Sequence, residues 1–556
     1  MTINVSRSST FLSVASNPRV ASLLVFVFAL LLFSINLDRP PHPDELHHAL
    51  AAQDLLETGR PILAEGEYWR GTLHTWMVAI SYAIFGEGLA SARLPAVALT
   101  ALIAPVLFLW VRREAGTLAA WLTAVLFVTS PFTVEVAQFS RFYALQTFAF
   151  VLGSACFYYA LIGAATFPWR LMQGAFAVGL LLLATSAQIT TLVGIMGIAV
   201  WTAGILARRF FLDPAVSPSV RKMAVTAVVA LGIVVILVVN LTDVLDSVVE
   251  RYQQTPLHAV ARVDEFWFYH LRLLLFYPTL WTLFGVLAVL AALRCPRIAW
   301  LAIAVFSIGF LVMSFAAWKA TRYLSFALPF LAVVWGIGLA EAVSLSRSHA
   351  ITTRTRLAET LALPQRVGAA VASMAVVVAL VIVFLGNAFW LRTAAVIGNV
   401  ALPGEEPATD WRIARDALAS WVADADIMIT TEELGAIYFL GRSDIRFSPS
   451  KLGEIPLDQR FEFGIDHRTG RPIITKPESV ERLIECFPRG FVVGPIKHWG
   501  DPVLIGDEIQ AILKRHAAEP IEVPKRSYLY AWGWKRQPAS IQPPHCSNLM
   551  HFSGRK

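Results

Sequence analysis

Charge is what this chain has least of. Of its 556 residues, 15% are charged and 56% hydrophobic, where an ordinary soluble domain carries about 25% charged residues. The shortage excludes a purely soluble globular protein and leaves a polytopic α-helical membrane protein. Cysteine is scarce as well, at four residues. None stands in a metal-type spacing, no Gly-rich phosphate loop occurs, and no internal repeat stands out. The formal charge of +7 does not point to nucleic acid, because no basic stripe interleaved with aromatics accompanies it.

Apolar runs take up the space that charge leaves. A hydrocarbon core about 30 Å thick needs about 20 apolar residues per helix. On that criterion about eleven spans are expected, centred near residues 28, 100, 125, 152, 180, 198, 233, 284, 308, 332 and 378. Short loops rich in Lys and Arg stay in the cytoplasm. With the N-terminus inside, the inner segments hold Arg19, Arg112, Arg113, Arg208, Arg209, Arg221 and Lys222, and the outer loops hold Asp38, Asp44, Glu45, Asp54, Glu57 and Glu135. An odd number of spans then puts the C-terminus outside. The first run has a basic flank at Arg19 and no small-residue cleavage site, so it reads as an uncleaved anchor.

Three regions follow: a cytoplasmic tail at 1–19, a transmembrane domain at 20–395 and an outer soluble domain at 396–556. In the last, "ADIMITTEELGAIYFLG" reads as strand, turn and helix, and "RGFVVGPIKHWG" and "RSYLYAWGW" as further strands. A small α/β domain is expected, acting as a lid or docking platform without catalytic groups. Cys156 falls in a span and Cys295 in a cytoplasmic loop, which leaves Cys486 and Cys546 as the pair able to meet in an oxidising space.

The long outer loop at 37–88 holds the densest polar chemistry. In "RPPHPDELHHAL" an Asp44–Glu45 pair is ringed by His42, His47 and His48. From Asp44 to a stop at Gly59 the pattern predicts a short amphipathic helix on the membrane surface, and "GTLHTWMVAISYAIFG" a second, too short for a safe span. Asp44 is either a working carboxylate or the cap of the helix it begins, a role worth about 1 kcal/mol. Asp44, His47 and His48 share a helix face at i, i+3 and i+4, a spacing that could also hold a divalent metal ion. Positive-inside logic leaves few bases on the outer face. Arg70, Arg141, Lys319 and Arg322 nevertheless fall there, either snorkelling or waiting for an anion.

The ordered set of a first span, the outer "DE" with its helix, "YWRGTLHTWMVAISYAIFGEGLASARLP", "SRFYALQTF" and "KATRYLSFALPF" resembles the bacterial GT-C glycosyltransferases related to protein O-mannosyltransferases and to the aminoarabinose transferase of lipid A. The resemblance covers roughly residues 20–340. It implies a helical membrane fold with an outer active site that takes a sugar from a polyprenyl-phosphate carrier. Asp44 matches the first acid of the family's outer-loop pair, the general base, with Glu45 orienting it or binding acceptor. For the lipid phosphate the strongest candidates are Lys319 and Arg322, then Arg141, then Arg70; Tyr143, Tyr323 and His258 are candidate substrate contacts. Where relatives of the aminoarabinose type have an acidic–Lys–Pro run, this chain reads Arg70-Gly71-Thr72, which puts a metal or phosphate contact there in doubt. Beyond that divalent metal ion no cofactor is expected. Lipid A, another surface glycan, a second lipid and a protein Ser or Thr all fit as acceptors, and a bacterial inner membrane fits the compact loops. A transporter or flippase of a lipid-linked sugar is the alternative; it predicts inverted repeats and broken, charged helices at the midplane.

Overall fold

The structure, a computed structural model, describes residues 17–212, 217–219, 221–222, 226, 266–316, 319–361, 381, 385–401, 407–449, 464–466, 468–501, 504–536 and 546. The apolar runs fold as helices. In chain order they are α1 Pro18–Phe33, α2 Pro43–Thr58, α3 Thr72–Phe85, α4 Leu89–Ala115, α5 Thr117–Val128, α6 Pro131–Ala137, α7 Tyr143–Ile162, α8 Phe167–Ala187 and α9 Thr191–Leu212. After residue 265 come α10 Phe268–Phe276, α11 Pro278–Thr282, α12 Phe284–Arg294, α13 Pro296–Phe315, α14 Leu328–Leu361 and α15 Phe389–Gly398.

Among the described residues six helices are long and apolar enough to cross a membrane: α4, α7, α8, Thr191–Phe210 of α9, α13 and Leu328–Ser346 of α14. Helices α5 and α6 make a seventh if counted as one span bent by 61°. The bend has a local cause, since Ser130 precedes a proline and is held extended, with ψ 129°, which ends α5. Among the described residues the expected eleven spans are thus not all seen. The runs near 28 and 284 form helices of 16 and 11 residues, and those near 233 and 378 lie outside the described residues.

The outward faces stay apolar, with Leu293 74% and Phe315 75% exposed, as suits helices solvated by lipid. Between the helices Phe150, Phe306, Phe330 and Tyr158 are buried in one cluster. Small residues let the backbones close up: Gly336 lies against Thr123, and Gly338 against the main chain of Leu287, with no room for a Cβ at either. Close packing of this kind holds helices together where lipid removes the hydrophobic drive.

Beyond residue 407 the chain builds an α/β body. Its helices are α16 Trp411–Asp424, α17 Glu433–Leu440, α18 Pro477–Cys486 and α19 Asp507–Arg515. A short β1–β2 hairpin, Ile62–Leu63 with Gly66–Glu67, belongs to the first loop, so the sheet begins at β3. Its strands are β3 Ile427–Thr430, β4 Ile445–Phe447, β5 Gly464–Ile465, β6 Pro472–Ile474, β7 Arg489–Pro495, β8 Glu519–Ile521 and β9 Leu529–Lys535. They form a seven-stranded sheet in the order β5-β6-β4-β3-β7-β9-β8. Strands β3, β4, β6 and β7 run parallel, with antiparallel pairings at both edges. Strand alternation splits the core in two. Ile427 and Ile429 face Leu483, Ile484, Ile509 and Ile512 of α18 and α19, while Met428 joins Trp411, Leu418 and Ala436 of α16 and α17. A Cys486–Cys546 disulfide, with Cα atoms 5.2 Å apart, ties the end of α18 to the C-terminal segment.

This body is docked on the loop between α1 and α4. The Glu65 N–H donates to the Thr469 carbonyl at 2.8 Å. Leu434 of α17 packs into a cluster with Leu46 and Leu55 of α2 and Tyr82 of α3.

Candidate active site

Helix α2 shows why the acidic pair divides its labour. Of the two readings of Asp44, the helix cap is excluded: the N-cap is His42, whose side chain accepts the Asp44 N–H, while the Glu45 carboxylate accepts the His42 N–H at 2.9 Å. This is a capping box with histidine as its first member. Asp44, two positions past the cap, leaves its carboxylate to the outside. Gly59 ends the helix at φ +77°, where glycine carries no Cβ penalty.

Glu45 turns into the protein. Arg93, at the start of α4, grips it with Nε to Oε2 at 2.8 Å and Nη2 to Oε1 at 2.9 Å. The Ser140 N–H adds a bond to Oε2 at 3.0 Å. Both partners are buried, at 1% and 4% side-chain exposure, and the carboxyl is held below its usual range because Arg93 outweighs the cost of burial. Arg93 also donates to the carbonyls of Leu37 and Arg39. A carboxylate so filled is a strut for the loop.

Asp44 looks into a cavity of about 550 Å³ between the helices and the α/β body. Its Oδ2 accepts from Arg322 Nη2 at 3.0 Å, and its main-chain carbonyl accepts from Arg141 Nη1 at 2.9 Å. Burial alone would raise its pKa, but Arg141, His42 and Arg322 more than reverse this and hold the group well below the ordinary carboxylate range. Arg322 sits on a 3₁₀ turn, Thr321–Leu324, and its guanidinium lies 5.6 Å from the ring centres of both Phe139 and Tyr323. The bend at Ser130 carries α6 across the cavity floor, so Phe132, Glu135 and Val136 line it. Glu135 accepts from Thr321 Oγ1 at 3.2 Å and pairs with Arg392 at 3.4 Å.

The other predicted residues scatter. Arg141 lies behind Asp44, also donating to the Tyr68 hydroxyl at 3.1 Å. Lys319 is not among the cavity-lining residues; its ammonium donates to the Ala316 carbonyl at 2.7 Å. Arg70 is exposed and stacks over Phe142 outside the cavity. Tyr323 and Tyr143 face each other at 6.2 Å behind Arg322. His258 lies outside the described residues.

The suggested metal face does not assemble. His47 packs on Tyr68 with Nδ1 turned back to the Asp44 carbonyl, and His48 is buried against Thr75 Oγ1 at 2.9 Å. Among the described residues no three His, Cys, Asp or Glu side chains converge to hold a metal ion.

What sequence reasoning missed is the far wall. Arg39 comes from the first loop, and Thr431, Glu432, Arg446, Arg468, Lys497 and His498 from the α/β body. That body therefore supplies one wall of the cavity. Arg446 is held by Glu433 and Asp466 at 3.0 Å each, Arg468 by Asp466 at 2.9 Å. Arg468 also reaches to 3.5 Å from His47 Nε2, linking this wall to α2.

Helices that pack as in a membrane, a sheet body docked on their first loop and a carboxylate–arginine pair in the cavity between them define a polytopic membrane protein with a built interfacial site. No protein-family model matches the sequence, and no curated protein does. Among solved structures, the fold is similar to ArnT from Cupriavidus metallidurans bound to undecaprenyl phosphate. The TM-score is 0.57 at 15% identity, over 94% of this chain and 99% of that one. The apo state of the same protein gives 0.57 at 15% identity, over 96% and 99%. The archaeal oligosaccharyltransferase AglB from Archaeoglobus fulgidus, in complex with an inhibitory peptide and a dolichol-phosphate, gives 0.54 at 14% identity, over 94% and 75%. Both are glycosyltransferases of the GT-C superfamily, so the fold implied by the sequence resemblance is the fold found.

Proposed function

We propose that this chain is a multi-pass membrane glycosyltransferase of the GT-C type, moving a sugar from a polyprenyl-phosphate carrier to an acceptor on the outer face of a bacterial inner membrane. The observation that carries the reading is Asp44 lining the 550 Å³ cavity with Arg322 on its carboxylate. A base for an acceptor hydroxyl and a cation for a phosphate stand side by side. The fold shared with ArnT and AglB, solved with undecaprenyl phosphate and a dolichol-phosphate respectively, supports the donor class. The Cys486–Cys546 disulfide fits an oxidising compartment and so an outward-facing sheet body.

In this reading an acceptor hydroxyl attacks the anomeric carbon. The new glycosidic C–O bond forms as the bond to the phosphate oxygen breaks, and the hydroxyl proton passes to Asp44. Direct displacement inverts the anomeric centre. The phosphate leaves with the bonding pair, and Arg322 and Arg39 meet its growing charge. The site's charges gather at the cavity end of the helices, as surface chemistry needs and a midplane transport path does not. Glu45 positions the loop and takes no proton.

Mass spectrometry of lipids and surface glycans, from cells with the gene, without it and with Asp44→Asn, tests this. One sugar should vanish from a defined product in both the deletion and the mutant strain, since a positioned base contributes about 10²–10⁴-fold. A product lost on deletion but intact in the mutant would refute the base.

A further inference from the structure

The sheet carries a feature that the transfer reading does not use. From β3 the chain moves to β4 and then β6 on one side, then returns through α18 to β7 on the other side of β3. Strand order therefore reverses between β3 and β7. In open parallel α/β sheets the crevice outside the carboxyl ends of two such strands is where ligands bind, because the helices leave on opposite faces and open a gap. Here the helix after β3 packs with Met428 and Phe491, and the helix before β7 packs on the opposite face with Ile429 and Val492.

The residues that follow those two strand ends are Thr431 and Glu432 after β3, and Lys497 and His498 after β7. All four line the cavity, opposite Asp44 and Arg322. They are held in place from behind. Thr431 Oγ1 and His498 Nδ1 are 2.8 Å apart, and Gly494 has no room for a Cβ because Thr431 Oγ1 would lie 2.2 Å from it. Trp411 Nε1 donates to Glu432 at 2.8 Å.

Their chemistry differs from that of the membrane wall. A phosphate pocket wants cations with acceptors kept away. This crevice instead mixes a carboxyl, a hydroxyl, an imidazole and an ammonium, the alternating donors and acceptors that sugar hydroxyls match. Burial pushes the Glu432 carboxyl up and the His498 imidazole down to about 4. His498 is therefore uncharged at neutral pH, and its ring can both donate to and accept from a polyol.

We propose that the crevice between the carboxyl ends of β3 and β7 is a saccharide subsite, in which Glu432, Thr431, Lys497 and His498 hold the ring hydroxyls of a glycan acceptor against the Asp44 wall. The assignment to the acceptor rests on the glycosyl-transfer reading; the saccharide site itself does not.

Saturation-transfer NMR on the full chain in detergent tests it, with the methyl glycosides of glucose, mannose, galactose and arabinose as probes. Transfer to the ring protons of at least one glycoside is expected. It should fall at least fivefold in Glu432→Gln, which keeps an oxygen for Trp411, and in Lys497→Met, with unfolding temperatures unchanged. Arg70→Ala, outside the cavity, should leave it intact. A signal absent from the wild type, surviving both crevice variants or vanishing in Arg70→Ala would overturn the site. Undecaprenyl phosphoglucose should not displace the glycoside; displacement would give the ring to the donor and overturn the acceptor assignment. A chain that binds the glycoside through Glu432 but transfers no sugar keeps the subsite and loses the enzyme reading. A chain that transfers sugar with binding indifferent to Glu432 does the reverse.

Discussion

Arg322 reaches Asp44 at 3.0 Å across 278 positions of sequence, and the two share one cavity wall. The pairing keeps Asp44 ionised and weakly basic while no donor is bound. A phosphate that draws Arg322 away would make the carboxylate a better proton acceptor just when the acceptor arrives. Arg322→Ala also removes the cation proposed to meet the leaving phosphate, and should on balance slow turnover about tenfold to a hundredfold, the worth of a hydrogen bond between charged groups. It should also move the acid limb of the pH–rate profile to higher pH, because Asp44 loses a cation that lowers its pKa. Steady-state rates from pH 4 to 8 measure both, and an unmoved limb would separate Arg322 from the base.

Glu45 predicts a different failure. Its partner Arg93 is buried to 1% exposure, so Glu45→Gln leaves a cation that neither water nor protein neutralises. Breaking such a pair from one side costs about 3–5 kcal/mol. Thermal unfolding should drop by several degrees in Glu45→Gln and stay near the wild-type value in Asp44→Asn. Equal unfolding temperatures would return Glu45 to the reaction.

This division of roles marks the limit of what the sequence discloses. The acidic pair, the helix to Gly59, the short helix at 72–85 and the strands at 427, 489 and 529 are legible because each is set by residues a few positions apart. The split between Asp44 and Glu45 is not, because it depends on Arg93, 48 residues away. Lys319 and Arg322 look alike as outer bases three positions apart, and only the turn at 321–324 aims one of them at the cavity. Thr431, Glu432, Lys497 and His498 carry no motif at all. They meet because strand order reverses beside β3, a property of topology that no local pattern encodes.

Histidines set the acid response. Burial, then Arg141 and Arg468, push His47 down to about 3, and burial beside His74 and Arg141 holds His48 well below its usual value. An unfolded histidine titrates near 6.5. Below about pH 6.5 the unfolded chain takes up protons that the folded chain refuses, so stability falls as pH drops towards the folded values, and these two groups contribute no slope above 6.5. The unfolding temperature should decline from pH 6.5 to pH 4.5. His48→Leu should make that decline shallower, and a variant as steep as the wild type would remove His48 from the account.

The seam between the first loop and the sheet body depends on two glycines. A Cβ at Gly66 would lie 2.6 Å from the Arg468 carbonyl oxygen, and one at Gly470, itself at φ +67°, would lie 2.9 Å from the Glu65 main chain. Between them runs the Glu65–Thr469 hydrogen bond at 2.8 Å. A side chain at position 66 must push the hairpin off Arg468, and Arg468 in turn lies within 3.5 Å of His47 on the Asp44 helix. Gly66→Val should thus lower turnover at least about tenfold, as small misplacements in a positioned site do, and make the 60–70 segment more sensitive to limited proteolysis. Gly88→Ala is the control, since its Cβ meets nothing within 4 Å and its backbone is extended at φ 162°. If Gly66→Val matches Gly88→Ala in both assays, the seam does not hold the site together, and the sheet body must find its place over Asp44 through the Leu434 contact with α2 instead.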